Sequence, residues 1–254
     1  MSNFHNIPIV GKVLFEFEKL PSTNTHAQHL LSTGRPEEGT VIWAHHQTEG
    51  RGQMGTRWES AAERNLTFSV ILYPRFLAAA EQFYLNKALS TAIAKALQMF
   101  FPNTIHIKWP NDIYVGREKI AGILIQNTLR GGQIYASILG VGLNVNTTHF
   151  SAHIPNPTSM YLQGKPIEDL RNLLNQCLEQ INHHYLKLME NMTIFDREYK
   201  LLLYKRQVKS SFILHETGQK VYGYIQNVDP QGQLQIIMED GSNRHFSIKE
   251  LSYR

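Results

Sequence analysis

The most informative run in the chain is Lys108-Trp-Pro-Asn-Asp-Ile-Tyr-Val115, a proline turn between two strand-like segments. Proline restricts the preceding Trp109 to extended conformations and so orients its neighbours. Lys108 can neutralise phosphate charge, and Asn111 and Asp112 offer the oxygen atoms that Mg²⁺ prefers. The alternative is a structural turn in which Asp112 bonds its own backbone. A turn alone does not require Lys, Trp, Asn and Asp together, so the run favours a functional site.

A glycine-rich run, Gln-Thr-Glu-Gly-Arg-Gly-Gln-Met-Gly-Thr-Arg-Trp, lies upstream at residues 47–58. Its three glycines let the backbone approach a ligand closely and direct N–H groups at an anion. Arg51 and Arg57 add positive charge suited to carboxylate or phosphate, and Trp58 can cover a ring or an aliphatic chain. For the glycines in isolation, a flexible surface loop is the alternative. The run lacks the Gly-Lys-Ser/Thr of a phosphate-binding P-loop.

Two further patterns lie downstream, Lys119-Ile-Ala-Gly-Ile-Leu-Ile-Gln126 and Gly140-Val-Gly-Leu-Asn144. A lysine at the mouth of a strand is usually a solvated rim charge. Gly122 nevertheless indicates that something approaches the backbone there. In the second pattern, two glycines on one strand face predict room for a ligand, which Asn144 would close at one end. Neither pattern decides a function by itself.

Composition sets broader limits. The 254 residues carry a net charge of +4, and the 25 basic residues are scattered, which argues against a dedicated nucleic-acid binder. No stretch approaches the roughly 20 apolar residues that span a bilayer, and we expect no secretory signal in residues 1–11. The single cysteine, Cys177, fits a reducing cytoplasm, and its place on an apolar helix stripe predicts core packing rather than a nucleophile.

Periodicity predicts a mixed α/β domain over residues 1–204 and a C-terminal β module over residues 205–254. In the first domain, the predicted strands span residues 9–17, 40–46, 66–73, 105–108, 112–115, 120–127 and 135–144. The predicted helices span residues 22–34, 85–100, 167–185 and 193–203. In the second domain, short strands at 208–216, 220–228, 233–238 and 243–248 are joined by glycine-containing turns, which is typical of a small barrel.

The histidines give little support to a metal site. His45 and His46 are adjacent on a strand and face opposite sides, so they cannot jointly chelate one ion. His149 and His153 have the spacing of a metal pair, but prolines crowd their segment and no third ligand is evident. We expect a loop role for them.

Taken together, these motifs resemble those of the biotin protein ligase family, in order and in spacing, from Ser22 to Arg254. The motifs are Ser22-Thr-Asn24, Gln47…Gly50-Arg-Gly52…Gly55…Trp58, Lys108-Trp-Pro-Asn-Asp112, Lys119-x-Ala-Gly122 and Gly140-x-Gly-x-Asn144. The resemblance implies an α+β fold: a class II synthetase-like, biotin-lipoate ligase catalytic domain with a mixed sheet and flanking helices, plus a small SH3-like barrel.

The resemblance also implies a two-step reaction. Biotin and MgATP give biotinyl-5′-AMP and pyrophosphate, and a lysine of a biotin carboxyl carrier protein then takes the biotinyl group. ATP, Mg²⁺ and biotin enter as substrates, without a tightly bound prosthetic group. A cytoplasmic monomer or homodimer is implied, with no membrane association. Some members begin with a DNA-binding helix-turn-helix domain; the first strand predicted here starts near Ile9, so we expect neither specific DNA binding nor repression.

Site roles follow from the same resemblance. The residues implied to catalyse are Arg51, Lys108, Asp112 and Lys119, with Asp112 also the candidate ligand for Mg²⁺. Those implied to bind biotin are Ser22, Thr23, Asn24, Gln47, Gly50, Arg51, Gly52, Gln53, Lys119 and Gly122. Those implied to bind ATP are Arg51, Arg57, Trp58, Lys108, Asn111, Asn144 and Arg254, with Glu250 and Arg254 at an end that leans toward the nucleotide.

The chain departs from the family pattern inside the glycine-rich run. Many members carry an arginine where this chain has Gln53, and further basic residues where it has Met54 and Thr56. Glutamine keeps a hydrogen bond but removes a charge. Retention of the adenylate would therefore rely more on Arg51 and Arg57.

Two rival functions remain open. A lipoate or octanoate ligase shares the fold and chemistry, but a pocket for an apolar chain has little use for the hydroxyls of Ser22 and Thr23. A non-catalytic binder of the adenylate could lose Arg51 or Lys119, and both are present. Because the charged groups needed to stabilise a transition state are intact, the sequence favours an enzyme.

Overall fold

A seven-stranded mixed sheet forms the centre of the protein, which was analysed as a computed structural model describing residues 8–60 and 62–254. The strands run in the spatial order β1-β2-β3-β7-β6-β5-β4, with β1 and β2 parallel and the other neighbours antiparallel. Their bounds are β1 Leu14–Leu20, β2 Val41–Gln47, β3 Leu66–Leu72, β4 Ile105–Lys108, β5 Asp112–Val115, β6 Glu118–Arg130 and β7 Gln133–Leu143.

Among the described residues, four α-helices accompany this sheet. They are α1 Thr23–Thr33, α2 Gln82–Gln98, α3 Leu170–Glu190 and α4 Ile194–Leu202, and α3 packs on α2. The side chain of Ser22 caps α1, and that of Asp169 caps α3 by accepting from the N–H of Asn172 at 2.9 Å. Helix α2 is buried along most of its length because it lies between the sheet and the helices α3 and α4. No helix within the described ranges is long and apolar enough to cross a membrane.

A second, antiparallel sheet follows in the last fifty residues. Its strands are β8 Lys209–Leu214, β9 Lys220–Val228, β10 Leu234–Met238, β11 Asn243–Phe246 and β12 Leu251–Tyr253, in the order β11-β10-β9-β8-β12. The segment before β8 bonds to both sheets: the Tyr204 N–H donates to the Ile107 carbonyl of β4, and the Gln207 N–H donates to the Ile225 carbonyl of β9, both at 2.9 Å. The predicted α+β architecture, a mixed sheet with helices and a small C-terminal β unit, is confirmed.

The start of one predicted strand was wrong, and one strand was not assigned. Residues 9–13 form a turn rather than the start of β1, and the N–H groups of Ile9 and Val10 donate to Oδ1 of Asn182, at 2.8 and 3.1 Å. The last strand, β12, was missed because three residues are too few to show a period. Of residues 1–11, where we expect no secretory signal, residues 1–7 lie outside the described part.

Candidate active site

A cleft of about 390 Å³ opens where the glycine-rich run, the Lys108–Asp112 turn and the C-terminal sheet meet. This volume lies in the range of pockets that hold small ligands. The cleft brings together most of the predicted site residues. Those that line it are Ser22, Thr23, Asn24, Gln47, Arg51, Gly52, Gln53, Arg57, Trp58, Lys108, Asn111, Asp112, Lys119 and Gly122.

The N-terminus of α1 forms a polar end of the cleft. The Ser22 hydroxyl lies 3.5 Å from the Thr25 N–H, a weak cap. The N–H and the hydroxyl of Thr23 both donate to Oε1 of Gln47, at 2.7 and 3.1 Å. Because an N–H can only donate, these contacts fix which way the Gln47 amide faces. Its Nε2 is turned toward Gly50 and forms no hydrogen bond among the described residues.

Ser69 on β3 completes this polar end and was not predicted. Its hydroxyl is fully buried, 2.7 Å from Oγ1 of Thr23 and 2.6 Å from Oδ1 of Asn24. The Nδ2 of Asn24 donates in turn to Oε1 of Gln126 on β6, at 2.9 Å. Each side chain in the chain of contacts therefore holds the next one in place. A lone serine in an apolar strand carries no local signal, so sequence reasoning had no means of finding it.

The two glycines of β7 accommodate side chains. A Cβ on Gly140 would lie 2.1 Å from Oδ1 of Asn24, and a Cβ on Gly142 would lie 2.3 Å from Cε2 of Trp58. Gly122 pairs with Gly142 on the neighbouring strand, and a Cβ on Gly122 would lie 2.9 Å from Cζ3 of the same indole. All three glycines line the cleft, so the prediction that this strand face leaves room for a ligand remains a prediction. The glycines let the Asn24 amide and the Trp58 indole lie against the sheet.

The glycine-rich run folds into a small hairpin. The Trp58 N–H donates to the Gly50 carbonyl at 2.9 Å, and the Gly52 N–H donates to the Thr56 carbonyl at 2.7 Å. A Cβ at Gly50 would lie 2.3 Å from the carbonyl oxygen of Trp58, so the close backbone approach there requires glycine. Gly50 supports the hairpin and does not itself line the cleft.

The two arginines of the hairpin are exposed. Nη1 of Arg51 donates to Oε1 of Gln28 at 3.3 Å, and the Arg57 guanidinium donates to the carbonyl of Thr48. Neither guanidinium forms an ion pair with a described residue. Both charges therefore remain available to an anion in the cleft.

The predicted proline turn joins β4 to β5 as a tight hairpin, in which Lys108 and Asp112 are opposite each other in the strand register. The Trp109–Pro110 peptide bond is cis. Trp109 is buried and donates from Nε1 to the carbonyl of Gly232, in the turn between β9 and β10, at 2.9 Å. Asn111 donates from Nδ2 to the Ile123 carbonyl, which ties the turn to β6.

An ion pair lines the cleft. Nζ of Lys119 lies 2.6 Å from Oδ1 of Asp112, and the two side chains are 24% and 22% exposed. The Lys119 ammonium also stands 5.6 Å from the centre of the Trp58 ring. Its backbone is fixed on both sides, because its N–H donates to the Asn156 carbonyl and its carbonyl accepts from the Thr158 N–H. The lysine predicted as a strand-mouth charge is thus partly neutralised and accessible.

Four predicted residues lie outside the lining of the cleft: Gly50, Asn144, Glu250 and Arg254. The buried Asn144 donates from Nδ2 to the Thr158 carbonyl at 3.0 Å, which anchors the segment that holds Lys119. Arg254 is exposed and bonds Ser211 through its backbone. The C-terminal residues that do line the cleft are Ile248, Leu251, Ser252 and Tyr253.

Within residues 8–60 and 62–254, no three histidine, cysteine or acidic side chains come together to hold a metal ion. His153 instead pairs with Glu59, Nε2 to Oε1 at 2.9 Å, in the exposed loop where it was predicted. Cys177 is buried, and burial raises the pKa of its thiol to about 12, so it is a core residue as predicted.

The chain is similar to a known family over the region that builds this cleft. The model of the biotin/lipoate A/B protein ligase family matches residues 16–144. The bifunctional ligase/repressor BirA of Escherichia coli is 25% identical over 242 residues, covering 92% of this chain and 73% of BirA. The biotin–[acetyl-CoA-carboxylase] ligase of Mycobacterium tuberculosis is 26% identical over 218 residues, covering 84% and 79%.

A solved structure is similar over nearly the whole chain. The biotin protein ligase from Aquifex aeolicus, in complex with biotin and ATP, superposes with a TM-score of 0.77 at 26% identity. The match covers 96% of this chain and 99% of that one, so it includes the C-terminal sheet.

Proposed function

The chain belongs to the biotin/lipoate A/B protein ligase family, and on this basis and the geometry of the cleft we propose that it is an ATP-dependent biotin protein ligase. In the first step, a biotin carboxylate oxygen bonds to the α-phosphorus of ATP and pyrophosphate leaves. In the second step, the amine of an acceptor lysine bonds to the acyl carbon, AMP leaves and the amine loses a proton. The relatives named above as biotin ligases support this reaction over other chemistry.

The polar end of the cleft suits the ureido ring of biotin. A ureido group presents one carbonyl and two N–H groups, so it needs both donors and acceptors. The free Nε2 of Gln47 is a donor whose direction Thr23 fixes. The hydroxyl of Ser22 can donate or accept, and Asn24 is held by Ser69. Preorganised partners of this kind bind a polar ring without further ordering of side chains.

The cations of the cleft suit the reacting groups. On the sheet, the Asn24 side chain lies against Gly140 and the Trp58 indole lies against Gly142. Gly142 pairs with Gly122, and Gly122 pairs with Asp112, the ion-pair partner of Lys119. We assign Arg51 and Lys119 to the biotin carboxylate and the α-phosphate. There they would reduce the repulsion between two anions and stabilise the charge that spreads over the phosphorus. For this, Lys119 must exchange Asp112 for the substrate.

The nucleotide is assigned to the part of the cleft beyond this ion pair. Lys108 and Arg57 offer positive charge to the phosphates, and Trp58 and Asn111 form the adjoining wall. Asn144 would act there through the segment that it anchors, rather than by touching ATP. Arg254 does not line the cleft, but it directly follows Tyr253, which does.

Mg²⁺ would enter with ATP as part of the substrate. Asp112 is the only acidic side chain that lines the cleft, so the described residues can supply Mg²⁺ with at most one carboxylate ligand. This fits a magnesium ion that takes most of its oxygen ligands from phosphates and water. Alternatively, once Lys119 has moved to the substrate, Asp112 can receive the proton that the acceptor lysine loses.

The acceptor that this chemistry requires is an exposed lysine on a carrier protein. The names of the Mycobacterium tuberculosis and Paracoccus denitrificans relatives specify acetyl-CoA carboxylase as the protein modified by those enzymes. We propose a biotin carboxyl carrier domain as the acceptor here, and the cytoplasm as the compartment, consistent with the single, buried cysteine.

The observation that carries the proposal is one cleft with a fixed amide and hydroxyl network at one end and lysines and arginines at the other. Mass spectrometry after mixing the protein with MgATP and either biotin or lipoate, without acceptor, tests it. We expect biotinyl-AMP and no lipoyl-AMP. Lipoyl-AMP instead would keep the adenylation chemistry but contradict the assignment of the polar end. If folded protein forms neither, the binder alternative replaces the enzyme.

A further inference from the structure

The ammonium group of Lys108 contacts two tyrosines, and a third packs against both of them. The ammonium donates to the hydroxyl of Tyr114 at 3.1 Å and stands 5.1 Å from the centres of the Tyr114 and Tyr253 rings. Tyr204 closes the group, 5.2 Å from Tyr114 and 6.4 Å from Tyr253 between ring centres. These three rings come from β5, from the segment before β8 and from β12. We call Tyr114, Tyr204 and Tyr253 the tyrosine cage.

The cage holds Lys108 without neutralising it. Lys119 is paired with the carboxylate of Asp112, whereas Lys108 forms no ion pair with any residue that the structure describes. Burial raises the pKa of the Tyr114 hydroxyl to about 12, and the pKa of Tyr253 is raised as well, so both remain neutral phenols. Aromatic faces attract a cation through their quadrupole and leave its full charge in place. Lys108 is therefore a positioned and uncompensated cation in the wall of the cleft.

The ring of Tyr253 carries this contact, and its hydroxyl does not. The hydroxyl is buried and has no hydrogen-bond partner among the described residues. A buried polar group without a partner is unfavourable, so the hydroxyl adds nothing to stability that phenylalanine would lack. The ring packs against Phe212 at 5.5 Å as well as facing Lys108.

We propose that Tyr253, in the last strand of the chain, is a positioning residue that holds the uncompensated Lys108 ammonium toward the phosphates of the nucleotide. This inference rests on the proposed function for the identity of the nucleotide. It gives the C-terminal sheet an indirect part in ATP binding, through a residue next to the predicted Arg254. The ring acts through Lys108 and need not touch ATP.

The test compares Tyr253→Leu with Tyr253→Phe by titrating ATP into the protein calorimetrically and by measuring pyrophosphate release. Loss of one cation–π contact should weaken ATP binding and raise the KM for ATP about tenfold in Tyr253→Leu. The KM for biotin should stay within about twofold, because no contact to the polar end is lost. Tyr253→Phe keeps the ring and should match the wild type. Should the leucine variant fail to fold, Tyr253→Met fills the volume without a ring.

Two comparisons separate positioning from a general structural effect. Tyr222 lies in the same sheet, with the ammonium groups of Lys220 and Lys209 at 5.0 and 5.8 Å from its ring, but it is exposed outside the cleft. Tyr222→Leu should leave both KM values unchanged. In a Lys108→Met background, Tyr253→Leu should cause no further loss of ATP affinity, since the group it positions is gone.

The outcomes distinguish this inference from the proposed function. If Tyr253→Leu binds ATP as the wild type does, or if Tyr253→Phe is as weak as Tyr253→Leu, the positioning role of the ring is refuted even in an active ligase. An additive loss in the Lys108→Met background refutes it too. If the wild type binds ATP in a Tyr253-dependent manner but forms no biotinyl-AMP, the proposed function fails and the positioning role stands.

Discussion

The two lysines of the cleft differ in what holds them. Lys119 is bound to a carboxylate, so an incoming anion must displace Asp112 before it can use the charge. Lys108 is held by neutral rings and can attract phosphate from the outset. Under the proposed assignment, Lys108 offers its charge to the nucleotide without rearrangement, whereas Lys119 does so only after it exchanges Asp112 for the substrate.

Lys119→Ala should abolish most adenylation while leaving folding nearly intact. Removing one preorganised cation from a reacting phosphate lowers the rate by about 100-fold or more. The loss of unfolding free energy should be no more than about 1 kcal/mol, because partly exposed ion pairs contribute little. The measurements are biotinyl-AMP formation in a single turnover and thermal unfolding.

Lys187→Ala is the matched control for this change. Lys187 pairs with Glu198 at 2.5 Å, with side chains 28% and 25% exposed, a geometry close to that of Lys119 and Asp112 but outside the cleft. It should show a similar small change in melting temperature and normal adenylation. Equal adenylation in both variants would remove Lys119 from the mechanism.

At the scale of elements, β6 and β7 form the surface on which side chains from the glycine-rich hairpin and α1 pack. Asn24 lies on Gly140, and Trp58 lies on Gly142 and Gly122. The indole Nε1 of Trp58 is buried and has no partner among the described residues. The position of the hairpin is therefore set by contacts that a single methyl group would disturb.

Gly142→Ala should displace the hairpin and lower the adenylation rate by about 10- to 100-fold, since misplacing a binding group by about 1 Å can have that effect. Gly122→Ala should have a smaller effect, because its Cβ would meet the Trp58 indole at 2.9 Å rather than 2.3 Å. Gly34→Ala is the control: nothing lies within 4 Å and its backbone is extended. A Gly142→Ala enzyme as active as Gly34→Ala would show that adenylation does not require the Trp58 indole to pack against Gly142.

The same hairpin is predicted to close over the reactive adenylate and exclude water. Arg51 and Arg57 are exposed, so trypsin can cleave after either of them in the ligand-free protein. Incubation with biotin and MgATP should slow cleavage at both sites, while cleavage elsewhere stays unchanged as an internal control. Equal rates at these two arginines with and without the ligands would contradict a closing lid.

The elements show where sequence reasoning succeeds. Strands β2 to β5 and the cap of α1 were predicted closely, because local alternation, Pro110 and Ser22 mark them. The start of β1 was not, since Ile9 and Val10 are apolar in sequence but bond Asn182 of α3 instead of the sheet. Periodicity predicts that a residue is buried, but it does not predict which element the residue packs against.

The site divides in the same way. Lys119, Arg51 and the Lys108–Asp112 turn stand in recognisable motifs, and the cleft brings them together. Ser69 and Tyr253 carry no motif, because each acts only through partners that are distant in the chain. Their roles depend on β3 lying across from α1, and on the last strand folding back to Lys108. Such contacts follow from topology, which local patterns do not encode.

At the scale of the whole molecule, the C-terminal sheet is a wall of the cleft. Its last strand, β12, lines the cavity together with Ile248 from the preceding turn, and Trp109 donates to the Gly232 carbonyl. Gly232 itself packs closely on Phe83 of α2, where a Cβ would lie 2.5 Å from the ring. The division into residues 1–204 and 205–254 remains a prediction, but the functional unit that we propose spans both parts.

Trp109→Phe should therefore lower both stability and activity. It removes the donor to a buried carbonyl, and an unsatisfied buried acceptor costs about 1–3 kcal/mol.

Trp43→Phe is the matched control, because Trp43 is equally buried but its Nε1 has no partner among the described residues. Both variants lose a similar volume, so the difference in their unfolding free energies isolates the hydrogen bond. Denaturant titration should place Trp109→Phe below Trp43→Phe by at least about 1 kcal/mol, with weaker ATP binding in Trp109→Phe alone. Equal losses in the two variants would mean that this bond does not hold the C-terminal sheet against the Lys108–Asp112 turn.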